Sequence, residues 1–294
     1  MQSRLLLRGR NCLRFLYTQR FQSTTTVKTE EVYIDKLDNE SRGIFVLSLN
    51  KPKTKNALSK HLVNLLFDKL HELRTNKELR VLILRSAVSG VFCAGADLKE
   101  RLKMPLNEVE PFVSTLRSLA NTIHEFEWPT ICAFDGIALG GGLEIGLSCD
   151  LRVATESAKL GLVETKLAII PGAAGTQTLS RLVGPAIAKE LIFTARVMDG
   201  KEARDYGIVN HVVSQNDKGT AAFEKAVYLA NQMLPNGPKA LRMAKLAVNK
   251  GLEVDFTTGL AIERLCYGQL ITTSDRVEGL QAFLEKRPPN YTGD

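Results

Sequence analysis

Two glutamates stand in surroundings that a purely solvated carboxylate would not choose. Glu144 closes the run Gly140-Gly141-Gly142-Leu143, and Glu164 follows Gly161-Leu162-Val163 in a stretch whose nearest other charge is Lys166. Two carboxyls of this kind can divide acid and base work if their surroundings push their proton affinities apart. Glycine is a poor helix residue, so three in a row before a helical stretch need a reason. One reason is close approach of a ligand to the backbone, at a helix start that offers free N–H groups and a positive dipole end. The other is tight helix–sheet packing, with Glu144 as an ordinary first-turn acid. Glu164 either faces water or sits in a cleft with a raised pKa. The small-residue loop after it, Ile169-Ile170-Pro171-Gly172-Ala173-Ala174-Gly175-Thr176, could open another helix and leave room for a substrate chain. A third motif, Phe92-Cys93-Ala94-Gly95-Ala96-Asp97-Leu98-Lys99-Glu100, reads as a turn that ends in a short helix starting at Asp97. Such a turn exposes N–H groups that no helical carbonyl takes up, and these can bind an oxyanion. A small-residue turn capped by Asp is the plainer alternative.

The elements that must position these groups alternate. Val32–Leu37 and Gly43–Leu49 read as strands around a turn. The leucines at 58, 62, 65, 66, 70 and 73 predict a helix over Ser59–Leu73. Arg80–Arg85 is a buried-type strand, Asn107–Phe126 a second amphipathic helix closed by Pro129, and Thr130–Phe134 a strand. The glycine run then leads into a helix that ends at Cys149, and Leu151–Ala154 is a further strand. This alternation predicts an α/β domain with crossover connections. From Ala186 onward the pattern is mostly helical, with helices over Phe223–Leu234, Pro238–Lys250, Val254–Leu270 and Ser274–Glu285. The expected division is residues 30–215 as the core that carries the active site and 216–294 as a helical oligomerisation region.

Residues 1–29 form a separate unit. They contain Arg4, Arg8, Arg10, Arg14, Arg20 and Lys28 and no acid, the composition of a mitochondrial import segment and linker. They carry six of the seven net charges, which leaves +1 for the rest of the chain. The high pI is therefore no argument for nucleic-acid binding, and no DNA partner is expected. The five cysteines are odd in number and never spaced C-x-x-C, which speaks against a disulfide framework or a metal site and fits a reducing compartment such as the matrix. The most apolar stretch, 130–147, is broken by Asp135, Glu144 and several glycines, so no transmembrane segment is expected.

Taken together, order and spacing of the three motifs resemble the crotonase (enoyl-CoA hydratase/isomerase) family over roughly residues 30–294. The resemblance implies a spiral of ββα units with a C-terminal helical oligomerisation layer. It implies an oxyanion hole made of the Ala96 and Gly141 backbone N–H groups, which holds the thioester oxygen as an enolate develops. Family hydratases keep both glutamates, whereas isomerases commonly keep one. Glu144 is expected to orient water and accept its proton, and Glu164 to protonate the α-carbon, so that water adds syn across the double bond. Coenzyme A belongs to the substrate, so no separate cofactor is expected. The carbonyl of Ala94 would meet the adenine amino group, Lys99 the nucleotide phosphates, and Tyr267 and Lys286 a nucleotide held by a neighbouring subunit in a hexamer of two trimers. The stretches Phe92–Met104, Ala138–Glu144, Gly161–Gly172, Ala188–Phe193, Gly259–Glu263 and Glu278–Pro289 resemble members that hydrate 3-methylglutaconyl-CoA in leucine degradation. Another short enoyl-CoA, for hydration or isomerisation, is the alternative substrate.

Two positions depart from the pattern. Ala174 replaces a glycine usual in the active-site loop, which costs free energy if the backbone there needs a positive φ. An RNA-binding relative carries lysines four apart on its first long helix, where this chain has Lys60, Asn64 and Asp68. With one cation and one anion on that face, RNA is at most a weak partner, because phosphate contacts dominate RNA affinity.

Overall fold

In a computed structural model, which describes residues 28–294, the chain passes back and forth between two sheets. The basic N-terminal segment lies outside the described residues apart from its last two, Lys28 and Thr29. The elements in order are β1 (Val32–Lys36), β2 (Ile44–Leu49), α1 (Lys60–Arg74), β3 (Val81–Ser86), β4 (Val91–Cys93), α2 (Leu98–Lys103), α3 (Leu106–His124), β5 (Thr130–Phe134), β6 (Ile137–Leu139), α4 (Gly141–Leu147), β7 (Leu151–Thr155) and β8 (Leu160–Gly161). They continue with α5 (Gly175–Val183), α6 (Pro185–Phe193), α7 (Gly200–Asp205), β9 (His211–Val213), α8 (Ala221–Met233), α9 (Pro238–Gly251), α10 (Phe256–Gly268) and α11 (Ser274–Glu285).

The larger sheet has the order β1-β2-β3-β5-β7-β9 and is parallel except for the β1–β2 pair. The smaller one, β4-β6-β8, is wholly parallel. Odd-numbered strands from β3 to β9 join the first sheet and the even-numbered strands between them join the second. Each turn of the chain therefore adds one strand to each layer, which is the ββα spiral expected from the resemblance.

Both faces of the larger sheet are covered, which is why its strands read as unbroken apolar runs. Phe45, Leu47, Leu82, Leu84, Cys132 and Phe134 point into the main core, beneath the small sheet and the helices α1 and α3. Their neighbours Ile44, Val46, Val81, Ile83, Ile131 and Ala133 point the other way, against Ala222, Phe223, Ala226 and Val227 of α8. Helix α8 is anchored at both ends by residues that flank strands of the sheet. The Asp135 carboxylate accepts from the Ala222 and Phe223 N–H groups, and the Arg80 guanidinium donates to the Leu234 and Asn236 carbonyls. α8 thus packs as part of the sheet's cover, although it lies beyond residue 215.

The strands β4, β6, β8 and β9 are missing from the sequence-based reading, as are helices α5 and α6 in any detail. Each of the four strands is two or three residues long. A strand of that length offers no alternation to detect. The larger elements fall where the pattern put them: Ser59 caps α1 by accepting from the Leu62 N–H, and α11 spans Ser274–Glu285.

Candidate active site

The small sheet explains why three separated motifs meet. Its three parallel strands point the same way, and each motif leaves from a C-terminal end, where α/β sheets bind ligands. After β4 comes the turn Ala94–Asp97, after β6 comes Gly140, and shortly after β8 comes Glu164. Register brings them level, with Cys93 opposite Ala138 and Leu139 opposite Gly161.

The first turn is fixed from both sides. Leu58 N–H donates to the Gly95 carbonyl at 2.8 Å, and the Asp97 side chain accepts from the Lys99 and Glu100 N–H groups to start α2. No backbone carbonyl of the described residues accepts from the Ala96 N–H. The Gly141 N–H is equally uncommitted, as the first residue of α4. The two turns lie close: a β-carbon built on Gly95, the residue before Ala96, would come within 3.8 Å of the Gly141 nitrogen. The expected oxyanion donors are therefore brought to one place and left without partners in the fold.

Both glutamates are buried, Glu144 at 3% and Glu164 at 9% exposure. Gly140 has φ +50°, and a β-carbon there would sit 3.1 Å from Glu164 Oε1, so the turn needs glycine both for its conformation and for the carboxyl beside it. Glu144 Oε1 accepts two backbone N–H groups, from Ala173 at 2.9 Å and Gly175 at 2.8 Å. Ala174 between them has φ +76°, the left-handed conformation that turns both N–H groups toward one oxygen. The departure from the family's glycine thus falls where the backbone does need positive φ.

Burial, with a further upward push whenever Glu164 is ionised, raises Glu144 to about 7, against the two N–H bonds that favour its ionised form. Burial also raises Glu164. The two carboxyls differ in partners: Glu144 is held by the loop, whereas Glu164 Oε2 is buried with no hydrogen-bond partner. An unpartnered buried carboxyl oxygen favours the protonated group, and an oxygen with two N–H donors favours the carboxylate. Leu162, two residues before Glu164, is buried, whereas Leu167 is half exposed.

Some positioning groups escaped the sequence reading. The loop N–H donors at 173 and 175 carry no side-chain signal. Arg152 is buried at the far end of α4 and donates from Nη1 to the Cys149 carbonyl at 2.6 Å and from Nε to the Ile208 carbonyl at 2.7 Å. It ties the end of the helix that carries Glu144 to the segment before β9. A single buried arginine within a strand has no periodicity to betray it.

The expected coenzyme A residues sit apart from this pair. Ala94 is exposed, and its carbonyl accepts no backbone hydrogen bond among the described residues. Lys99 is exposed in the first turn of α2. Tyr267 on α10 is largely exposed, and Lys286 ends α11 in a left-handed conformation. None of these side chains is among the groups that touch or shift Glu144 or Glu164. On α1, Lys60, Asn64 and Asp68 all face solvent, and Lys60 is already paired with Glu108. His124, Glu125 and Glu253 cluster closely enough to hold a cation, but Lys250 Nζ, 2.8 Å from Glu125 and 3.5 Å from Glu253, already bridges the two carboxylates.

Residues 39–294 match the family described as enoyl-CoA hydratase/isomerase. The chain is 57% identical over 272 residues to a mouse protein named methylglutaconyl-CoA hydratase, mitochondrial, covering 92% of this chain and 87% of the relative. It is 50% identical to mouse enoyl-CoA hydratase domain-containing protein 2, mitochondrial, with 92% of each chain covered. The crystal structure of an enoyl-CoA hydratase from Bacillus anthracis superposes with a TM-score of 0.85 at 44% identity, covering 90% of this chain and all of that one.

Proposed function

Since the chain belongs to the enoyl-CoA hydratase/isomerase (crotonase) family, we propose that it is a mitochondrial hydro-lyase that adds water to 3-methylglutaconyl-CoA to give 3-hydroxy-3-methylglutaryl-CoA. The observation that carries this reading is the pair of buried carboxyls with different partners, set beside two uncommitted N–H groups at one edge of the small sheet.

The thioester oxygen lies between the Ala96 and Gly141 N–H groups. As water attacks C3, negative charge moves onto that oxygen, and preorganised donors hold it; losing one such donor typically costs ~10²–10³ in rate. Glu144, ionised and fixed by the Ala173 and Gly175 N–H groups, orients the water and takes its proton. Glu164, protonated, delivers a proton to C2 on the same face. Once that proton is delivered the two carboxyls hold one proton between them as before, but on exchanged sites, and transfer through product release or solvent resets the pair. Ala94 and Lys99 meet the nucleotide end of coenzyme A. Tyr267 and Lys286 reach a neighbour's nucleotide in a hexamer of two trimers, and the basic N-terminal segment directs import into the matrix.

Three features support the assembly and the substrate: the apolar side chains left exposed on α9–α11, the 57% identity to a relative named for methylglutaconyl-CoA, and the retention of both glutamates. Hydration of crotonyl-CoA and 3-methylglutaconyl-CoA by the purified chain, measured in parallel, tests the reading. A kcat/KM at least tenfold higher for 3-methylglutaconyl-CoA is expected, on the order of one charge-assisted contact. Equal or reversed preference would move the assignment to another short enoyl-CoA.

A further inference from the structure

The substrate of that reading brings a second carboxylate close to Glu144. In 3-methylglutaconyl-CoA the distal carboxylate lies two bonds beyond C3, the carbon that takes water from Glu144. Three carboxyl groups then share a site with little water, and an unpaired anion there is strongly unfavourable. A cation is needed on the Glu144 side, and neither glutamate, nor the oxyanion donors, nor the loop at 173–175 supplies one.

Resting on the hydratase reading above, we infer that Arg117 of α3 receives the distal carboxylate of a dicarboxylic enoyl-CoA and so selects it over monocarboxylic chains. The placement follows contact by contact. The loop that holds Glu144 packs against α3 through Gly172, where a β-carbon would come within 2.9 Å of Val113 Cγ1. Arg117 is one helical turn further along and therefore on the same face of α3. α3 also packs against α4, the helix that carries Glu144. The positive charge of Arg117 acts on Glu144, favouring its ionised form. It is exposed and takes part in no ion pair or side-chain hydrogen bond among the described residues. Its guanidinium is thus available, and a planar fork matches a carboxylate with two parallel bonds.

The rival is Arg101 on α2. Its guanidinium stacks on the Phe112 ring, 5.1 Å from the centroid, and its Nη1 is buried without a partner. That guanidinium is already engaged on the ring, and no contact of the described residues ties α2 to the loop that holds Glu144, whereas Val113 ties α3 to it.

The test uses two substrate pairs that differ only in the distal carboxylate: 3-methylglutaconyl-CoA against 3-methylcrotonyl-CoA, and glutaconyl-CoA against crotonyl-CoA. The quantity is the ratio of kcat/KM within each pair, in the full mature chain. A change in fold, or in the proton affinity of Glu144, affects both members of a pair and cancels in the ratio. In Arg117→Met the ratio should fall on the order of 10–100-fold, mainly through KM of the diacid, as expected for a lost charge-assisted bond. Arg117→Lys should restore part of it. A ratio unchanged in Arg117→Met, or lost in Arg101→Met instead, overturns the inference. A wild-type chain that prefers glutaconyl-CoA over crotonyl-CoA but does not hydrate the methylated diacid overturns the substrate reading and leaves Arg117 to be judged on the second pair.

Discussion

The spiral and the C-terminal helices of this chain treat apolar side chains in opposite ways. In the spiral, the apolar residues of β2, β3 and β5 are buried on both faces, and even two carboxyls are enclosed. On α9–α11 and their connections, Leu252, Phe256, Phe283 and Leu284 are each 80% exposed, and Leu265 and Tyr267 more than half. α10 packs chiefly against α9 rather than against a sheet. A patch of that kind marks a surface meant to be covered. The difference teaches that one protomer encloses both carboxyls of the proposed acid–base pair by itself, while its C-terminal helices leave apolar side chains uncovered, where the proposed hexamer would place a second copy. Burying a large apolar side chain contributes about 1.5–3 kcal/mol, so a few such residues suffice to hold subunits together.

The largest effect that would break this comparison comes from the spiral. Glu144→Gln and Glu164→Gln should each lower kcat by ~10²–10⁴ without changing the mass of the assembly, since each removes a proton-transfer partner from a site one protomer builds. Turnover within tenfold of wild type for either purified variant would remove that glutamate from the mechanism. The C-terminal helices should respond in the opposite sense. Phe256→Asp with Phe283→Asp should shift the mass in light scattering toward the protomer and raise KM for acyl-CoA by roughly tenfold, through loss of Tyr267 and Lys286 from the neighbouring site. An unchanged mass would show that the exposed face is not the contact between copies.

How much of this could be read from residues alone follows from what each feature consists of. The leucine ladder of α1 and the Thr130–Phe134 run are repeated signals over many positions, and they were legible. The glutamates were legible because a charge in an apolar setting is conspicuous, and their roles came with the resemblance. The small sheet was not, although it is what brings the motifs together, because its strands are two or three residues long and take their pairing from distant chain. The donors at Ala173 and Gly175 are main-chain atoms, which no residue type announces. Arg117 carries no signal beyond a charge on an amphipathic helix, and only the packing of Val113, one turn earlier, against the Gly172 loop singles it out.

A third prediction concerns stability, where the enclosed carboxyl should stand out from the exposed helices. Glu144 has its folded value raised to about 7, above the ordinary glutamate range. The folded state therefore binds that proton more tightly than the unfolded chain. The resulting stability is present below about pH 4.3 and is lost as pH rises through about 7. Glu144→Gln removes the titration, so its stability relative to wild type should increase by about 3 kcal/mol between pH 4 and pH 8, read from urea unfolding at both values. Parallel curves for the two proteins would mean that the carboxyl is not desolvated. The smallest effect belongs to the active-site loop. Ala174 at φ +76° carries a left-handed cost of about 1–2 kcal/mol, partly offset by the backbone entropy a glycine would lose. Ala174→Gly should therefore stabilise by up to about 1 kcal/mol, measured as a rise in Tm, and a fall would mean the loop gains from the methyl group.

The account rests most heavily on Glu144 as a base whose ionisation is set by its enclosure beside Glu164. The direct measurement is the pH dependence of kcat/KM for hydration of 3-methylglutaconyl-CoA from pH 5 to 9. The predicted profile rises tenfold per unit below about pH 7 and falls again on the alkaline side as Glu164 loses its proton, and the residual activity of Glu144→Gln lacks the acid-side rise. A wild-type profile already level at pH 5, or a rise that survives in Glu144→Gln, would contradict it.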